Sequence, residues 1–358
     1  MAGQRIDYRV AQQGQAAALE RIVSRVQSQL AVLPGGDRRP GDASVVFFGM
    51  GASFAACAVP VAILAAAGVR ATREIASEMH AGLAVPANTL AIGVSQSGRS
   101  PETVEVLRRV PADRRCVLTN VAGAALSDVT GLSYDLGSEQ DSYASTIGYT
   151  GTIVGLAMLA EHLLGATAQD AAAGWHGIGS TLSAVEKETA PLVAAVAQAS
   201  AGVVAADVVA SGPSRAASEA GALLLREVCR VPSAALVTRN YLHGEMEAAG
   251  DTLHVIIGDG RERRLARTLA DAGHVTLLVT TADAAAATDT AMTDTYPIPA
   301  AGGALHLITL PRVSMPVRVV LETLVLQQLA GALADARDIE IEDFVFEHDD
   351  TKIGGMVQ

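Results

Sequence analysis

Aromatic side chains are scarce: one tryptophan, six tyrosines and five phenylalanines make up 3% of the 358 residues. Hydrophobic residues still account for 50%, so a large core is expected, packed mainly by Ala, Val and Leu, and wholesale disorder is excluded. Cations are also in short supply, with 26 Lys and Arg against 38 Asp and Glu for a formal charge of −12. A protein built to grip nucleic acid needs a surplus of Lys and Arg to neutralise phosphates, so no nucleic-acid partner is expected. A local basic pocket for one small anion stays compatible with this balance. The three cysteines, Cys57, Cys116 and Cys229, are widely spaced in apolar surroundings. They fit neither a disulfide framework nor a zinc pattern, which points to a reduced, cytoplasmic protein. A membrane span needs about 20 apolar residues without interruption. The longest run, Phe54–Val69, contains Pro60 and Gly68 and reads as a buried helix. The start, Met1–Tyr8, is polar and lacks the apolar centre of a signal peptide. No membrane partner is expected.

What is present is a rhythm of short apolar runs and longer helical stretches. Ser44–Gly49, Leu90–Ser95 and Cys116–Asn120 do not alternate with polar residues, so they read as strands buried on both faces. Pro101–Val110 reads as a helix with Pro just inside its start. Strand–loop–helix units of this kind imply right-handed crossovers and a parallel sheet. From about residue 151 to 200 the chain is Ala-rich and helical in character, and the rhythm then resumes with Asp207–Ser211, Ala234–Thr238, Thr252–Gly258 and His274–Thr280. The length suits two domains of roughly 150 residues each. The expected division is an N-terminal helical segment (1–40), a first α/β domain (41–165), a helical linker (166–200), a second α/β domain (201–340) and a C-terminal tail (341–358). The Ala-, Thr- and Asp-rich stretch Ala282–Thr295 reads as a surface connection.

The most informative segment is Ser95-Gln96-Ser97-Gly98-Arg99-Ser100-Pro101-Glu102-Thr103, between a strand and a helix. Ligands of parallel sheets bind outside the carboxyl ends of the strands. A helix N-terminus there offers unpaired N–H groups to a phosphate. Ser95, Ser97 and Ser100 add hydroxyls and Gly98 allows close backbone approach. A Ser-rich capping loop without a ligand is the plain alternative. The loop after the first strand, Gly49-Met-Gly-Ala-Ser53, superficially suggests a dinucleotide fingerprint, but its third glycine position is Phe54. About 20 residues on stand Arg70 and Arg73 rather than a ribose-binding acid. A tight turn bringing Ser53 toward the same ligand fits as well and requires less.

Together with Glu74-Ile-Ala-Ser-Glu78, Thr119-Asn-Val121 and Ser142-Tyr-Ala-Ser-Thr146, these segments stand in the order and spacing of the sugar isomerase (SIS) domain. The chain resembles the isomerase half of glutamine–fructose-6-phosphate aminotransferase and its stand-alone relatives, the aminosugar-phosphate deaminases and fructosamine-phosphate deglycases, over residues 40 to 358. The resemblance implies two tandem flavodoxin-like SIS domains, each a parallel sheet sandwiched by helices, and a homodimer with sites at its interface. It implies a phosphate cradle of Ser95, Gln96, Ser97 and Ser100, with Ser53 close to the sugar and Ala144 and Ser145 in the Ser142–Thr146 segment beside it. The synthase's glutaminase domain opens on a cysteine exposed after Met1. Here the second residue is Ala2, so synthesis from glutamine is not expected, and deamination or isomerisation is.

Aldose–ketose interconversion needs a base that moves a proton between neighbouring carbons and a group that helps open the ring. Glu219, Leu223 and Glu227 are spaced by four in the helical stretch Ser218–Val231 and share a face. Spacing alone favours Glu227 as a partner of Arg226 or Arg230, or as an exposed edge residue, over a catalytic acid; the resemblance reverses this and implies that it is the proton-transfer glutamate, which a low-dielectric pocket would improve as a base. His243, in a loop, reads alone as structural or exposed. The resemblance makes it the ring-opening histidine, acting in the neighbouring subunit's site. Lys352 lies in the tail His348–Gln358, where the plain reading is a frayed end. The resemblance sets a lysine there over the open-chain sugar. Two positions depart from the synthases: Leu224 and Ile147 stand where those enzymes carry basic residues.

The expected function is therefore an aminosugar-phosphate deaminase or isomerase working by ring opening and C1–C2 proton transfer on a phosphorylated aminosugar. No metal or redox cofactor is expected, because such proton transfer needs none. A fructosamine-6-phosphate deglycase and a non-catalytic sugar-phosphate sensor are the competing readings.

Overall fold

The computed structural model describes residues 5–32, 44–80, 85–121, 126, 129, 132–282, 302, 304–341, 344–346 and 350–352. The chain forms two compact units, one of Met1–Ser180 with Glu342–Gln358 and the other of Thr181–Ile341. Except for Ala282, the expected connection Ala282–Thr295 lies outside the described residues.

The first unit opens with helix α1 (Tyr8–Ala31), whose N-terminus is capped by the Asp7 carboxylate accepting from the N–H groups of Arg9 and Val10. Then follow β1 (Ser44–Gly49), α2 (Ala52–Ala56), α3 (Ala58–Ala66), β2 (Ala71–Ile75), α4 (Ala76–His80), β3 (Thr89–Val94), α5 (Pro101–Arg109), β4 (Arg115–Thr119), β5 (Ser133–Asp135), α6 (Ile147–Leu163) and α7 (Ala168–Ala173). The five strands are all parallel, in the order β2-β1-β3-β4-β5. In β1, Phe47 and Phe48 point to opposite faces and both are fully buried, as a strand covered by helices on both sides requires. Phe48, Ala91 and Val117 pack with Val104 and Leu107 of α5. Helix α6 has almost no polar face and is buried along nearly its whole length.

Helix α8 (Ile178–Ala199) leads into the second unit, followed by β6 (Ala205–Ala210), α9 (Arg215–Glu227), β7 (Ser233–Val237), α10 (Thr238–Tyr241), β8 (Thr252–Ile257), α11 (Arg261–Asp271), β9 (Thr276–Thr281), β10 (Leu305–Leu310) and α12 (Met315–Ala336). Its parallel sheet has the order β10-β9-β8-β6-β7. Counted from β6, this is the order of the first sheet read from the other edge. Two flavodoxin-like α/β units in tandem are thus present, as expected. Helix α12 is long and apolar enough to cross a membrane by length and composition, but 89% of its most apolar stretch is buried within the protein, as in a core helix.

The strands expected from apolar runs agree with β1, β3, β4 and β6–β9 to within one or two residues. Three strands were not anticipated. β2 carries Arg73 and Glu74 on a half-exposed edge, β5 is three residues long, and β10 mixes His306 and Thr309 with its apolar positions.

Candidate functional site

In the first sheet the chain order reverses between β1 and β3, so the crevice beyond their carboxyl ends is the expected ligand position. Both candidate loops leave from it. Gly49 ends β1, and a Cβ there would lie 2.8 Å from the Val94 carbonyl oxygen and 2.9 Å from the Ser53 Cβ. The missing side chain thus lets Ser53, half-buried in α2, pack close over the end of β1. Arg73 stacks 4.4 Å over the Phe54 ring and donates to the Phe54 and Ala55 carbonyls, tying β2 to α2.

The serine loop leaves β3. The Ser95 N–H donates to the Leu118 carbonyl, and the Ser95 carbonyl accepts from Gly98, which takes φ +64° to close the turn. Ser95 and Ser100 are both buried, with their hydroxyls 3.0 Å apart. Ser97 Oγ accepts from the Arg99 N–H at 3.3 Å, which leaves its own proton to donate. Ser100 stands at the N-cap of α5 but its side chain does not cap the helix, and Pro101 at the first turn has no N–H. The amides of that turn therefore remain for an incoming acceptor. In the same turn Thr103 Oγ1 is buried without a hydrogen-bond partner among the described residues.

The Ser142–Thr146 loop is organised by Asp141, a residue the sequence did not single out. Its carboxylate accepts from Gln96 Nε2 at 2.9 Å and from Ser145 Oγ at 2.7 Å, so the two loops are joined through one buried side chain. Ala144 is fully buried beside it in sequence. Ile147 is buried at the start of α6. An acid in a run of Ser, Glu and Gln carries no periodic signal, which is why it escaped notice.

The tail meets this unit too. Tyr143 and Phe344 pack edge to face at 5.1 Å, and the Arg5 guanidinium lies 6.0 Å from the Phe344 ring centre. Lys352 is exposed as a residue, yet partial desolvation of its amine pulls its pKa down. Glu102 opposes that shift, and Arg99 and Arg5 add to it. Lys352 thus stands within electrostatic range of the serine loop and the start of α5.

Glu227 and His243 belong to the second unit. Glu227 closes α9 on its half-buried face with Glu219 and Leu223, and burial pushes its pKa up to about 7. Glu219 is held by Arg215 at 2.8 Å, and Arg226 donates to the Ser233 carbonyl. Leu224 is buried. His243 is exposed in the turn after α10, where its N–H donates to the Asn240 carbonyl. The structure thus gathers Ser53, Ser95, Gln96, Ser97, Ser100, Ala144, Ser145 and Lys352 in one unit and sets Glu227 and His243 in the other. Among the described residues no group of three or more His, Cys, Asp or Glu is arranged to hold a metal.

No family model matches the sequence, and no curated protein matches it. Solved structures do match in three dimensions. The C-terminal domain of glucosamine-fructose-6-phosphate aminotransferase from Francisella tularensis superposes with a TM-score of 0.74 at 17% identity, covering 94% of this chain and 98% of that one. Tagatose-6-phosphate ketose/aldose isomerase from Escherichia coli gives 0.67 at 15% identity over 91% and 90%. Glucosamine-6-phosphate deaminase from Thermotoga maritima gives 0.62 at 17% identity over 90% and 95%. Over nearly its full length, the chain has the tandem sugar isomerase (SIS) fold seen in phosphosugar isomerases.

Proposed function

We propose that the protein is a phosphosugar-binding enzyme that deaminates and isomerises an aminosugar phosphate. The carrying observation is the Ser95–Ser100 loop at the switch point of the first sheet, with an uncapped helix N-terminus and hydroxyl protons free to receive a dianion. In this reading the phosphate ester binds Ser95, Gln96, Ser97 and Ser100, and the sugar runs toward Ser53, Ala144 and Ser145. His243 assists ring opening. Glu227 takes the proton from C2 and returns it at C1, leaving an imine at C2 that adds water and releases ammonia. A carboxyl group titrating at about 7 is suited to that exchange, since it is neither fully charged nor fully neutral at physiological pH. The Lys352 amine contacts the open-chain carbonyl. The protein acts as a cytoplasmic homodimer, with His243 serving the neighbouring subunit's site.

Names of the structural neighbours support phosphosugar chemistry in general, and one is a deaminase. The test is ammonia release from glucosamine, galactosamine and fructosamine 6-phosphates by the purified protein. Ammonia with formation of the keto sugar phosphate supports deamination. Interconversion without ammonia reduces the assignment to an isomerase, and binding without turnover makes the protein a sensor.

A further inference from the structure

The Asp141 carboxylate gathers hydrogen bonds from the serine loop, from its own loop and from the first turn of α6. Its Oδ1 accepts from the N–H groups of Ser142 at 3.0 Å, Thr146 at 3.0 Å and Ile147 at 3.1 Å, and from Thr146 Oγ1 at 2.8 Å. Its Oδ2 accepts from the Gly148 N–H at 2.9 Å, Ser145 Oγ at 2.7 Å and Gln96 Nε2 at 2.9 Å. Two consequences follow from a carboxylate being an acceptor only.

First, the start of α6 is already occupied by a negative charge. Its leading amides point at Asp141, so this end of the helix is closed to a phosphate, while the start of α5 stays open. Second, the orientation of the neighbouring polar groups is decided. Ser145 must direct its proton, and Gln96 one of its two amide hydrogens, toward Asp141. The Ser145 lone pairs, Gln96 Oε1 and the second Gln96 amide hydrogen are what remain for a ligand. Gly148 makes room for the Gln96 carboxamide at that carboxylate, because a Cβ there would fall 2.0 Å from Gln96 Nε2 and 2.8 Å from Asp141 Oδ2.

We infer that Asp141 is a positioning residue that fixes the Gln96 carboxamide and the Ser145 hydroxyl beside the phosphate loop, so that Gln96 Oε1 and Ser145 Oγ accept from hydroxyl or amine donors next to the ester while the second Gln96 N–H is left for the ester itself. This rests on the phosphosugar reading and concerns chiefly the sugar end, and it acts through Gln96 and Ser145.

The test separates the two ends of the ligand. Binding of inorganic phosphate and of glucosamine 6-phosphate is titrated in wild type, Asp141→Asn, Gln96→Ala, the double variant, and Gly148→Ala. An asparagine at 141 brings a donor to face donors, so Gln96 must turn. Glucosamine 6-phosphate affinity is expected to fall about 10-fold and inorganic phosphate affinity by clearly less, since Gln96 is only one of the groups around the ester. The double variant should lose less than the sum of the two single losses, since Asp141 works in part through Gln96. Should Asp141→Asn fail to fold, Gly148→Ala displaces the same carboxamide and must reproduce the sugar-selective loss. Additive losses, or equal weakening of phosphate and sugar phosphate, overturn the role of Asp141 and leave the phosphosugar reading intact. A wild type that binds neither ligand overturns both.

Discussion

Ser95 and Ser100 share a hydrogen bond of 3.0 Å across the loop that they bracket, both nearly excluded from solvent. One proton is spent between them, so the pair offers one donor where two hydroxyls stand. Ser97 has its proton free. Ser97→Ala is therefore expected to weaken phosphate binding by about 10-fold or more, the scale of one charge-assisted bond. Ser95→Ala should cost about 1 kcal/mol of stability and less affinity, because Ser100 then keeps its own proton. Titration of inorganic phosphate and urea unfolding of both variants check the order.

Glu227 carries a prediction with two signs. Burial raises its pKa to about 7 from 4.5, so the charged form needed as base accumulates only as pH rises through 7. The acid limb of kcat/KM is expected near pH 7 and should vanish, with activity, in Glu227→Gln. The same shift means that holding the charge costs folding energy above pH 4.5, increasingly up to pH 7. Glu227→Gln should consequently be more stable than wild type at pH 8, by about 1–3 kcal/mol. Equal or lower stability of the variant in urea unfolding at pH 8 would count against a desolvated carboxylate.

Acid sensitivity should arise in the second sheet rather than at the site. Tyr241 donates to Asp207 at 2.9 Å and has no second proton, so His254 Nδ1 must donate to the Tyr241 oxygen at 2.9 Å. His254 Nε2 is then bare and buried, beside the His274 ring at 5.3 Å. Burial first and His274 second hold the His254 pKa down to about 4 from 6.5. Below pH 6.5 the unfolded chain takes a proton that the folded chain refuses, so stability present at higher pH is lost down to about pH 4. Between pH 7.5 and pH 5 the loss should be about 2 kcal/mol greater in wild type than in His254→Gln, measured by urea unfolding at the two pH values.

Phe344 is the tail's anchor on the first unit, through Tyr143 and Arg5. Phe344→Ala removes an edge-to-face contact and a cation–π contact, about 1–2 kcal/mol together. It should raise KM more than it lowers kcat, and should speed amide exchange at residues 350–352. Unchanged exchange there would mean that the tail is held elsewhere.

Much of this was legible in the residues. Strands such as Ser44–Gly49 announce themselves by unbroken apolar runs because both faces are covered, and the serine loop by its place between such a strand and Pro101. Three of the four edge strands, β2, β5 and β10, were not legible: β2, with Arg73 and Glu74, reads as surface because half of it is surface. The pKa of Glu227 was anticipated only as a consequence of burial, and the burial itself comes from packing that helical spacing does not reveal. Asp141 was invisible because its importance lies in what converges on it, from Gln96 in one loop to Gly148 in the first turn of α6.

The central claim is that the Ser95–Ser100 loop captures a phosphate ester, and paired titrations test it most directly. Glucosamine 6-phosphate and unphosphorylated glucosamine are titrated into wild type and into a Ser97→Ala, Ser100→Ala double variant. Wild type should bind the ester at least about 100-fold more tightly than the free sugar, as for two or more charge-assisted bonds, with most of that margin gone in the double variant. Equal binding of the two sugars by wild type would mean that the ester is not recognised, and a margin that survives in the double variant would place the phosphate somewhere other than this loop.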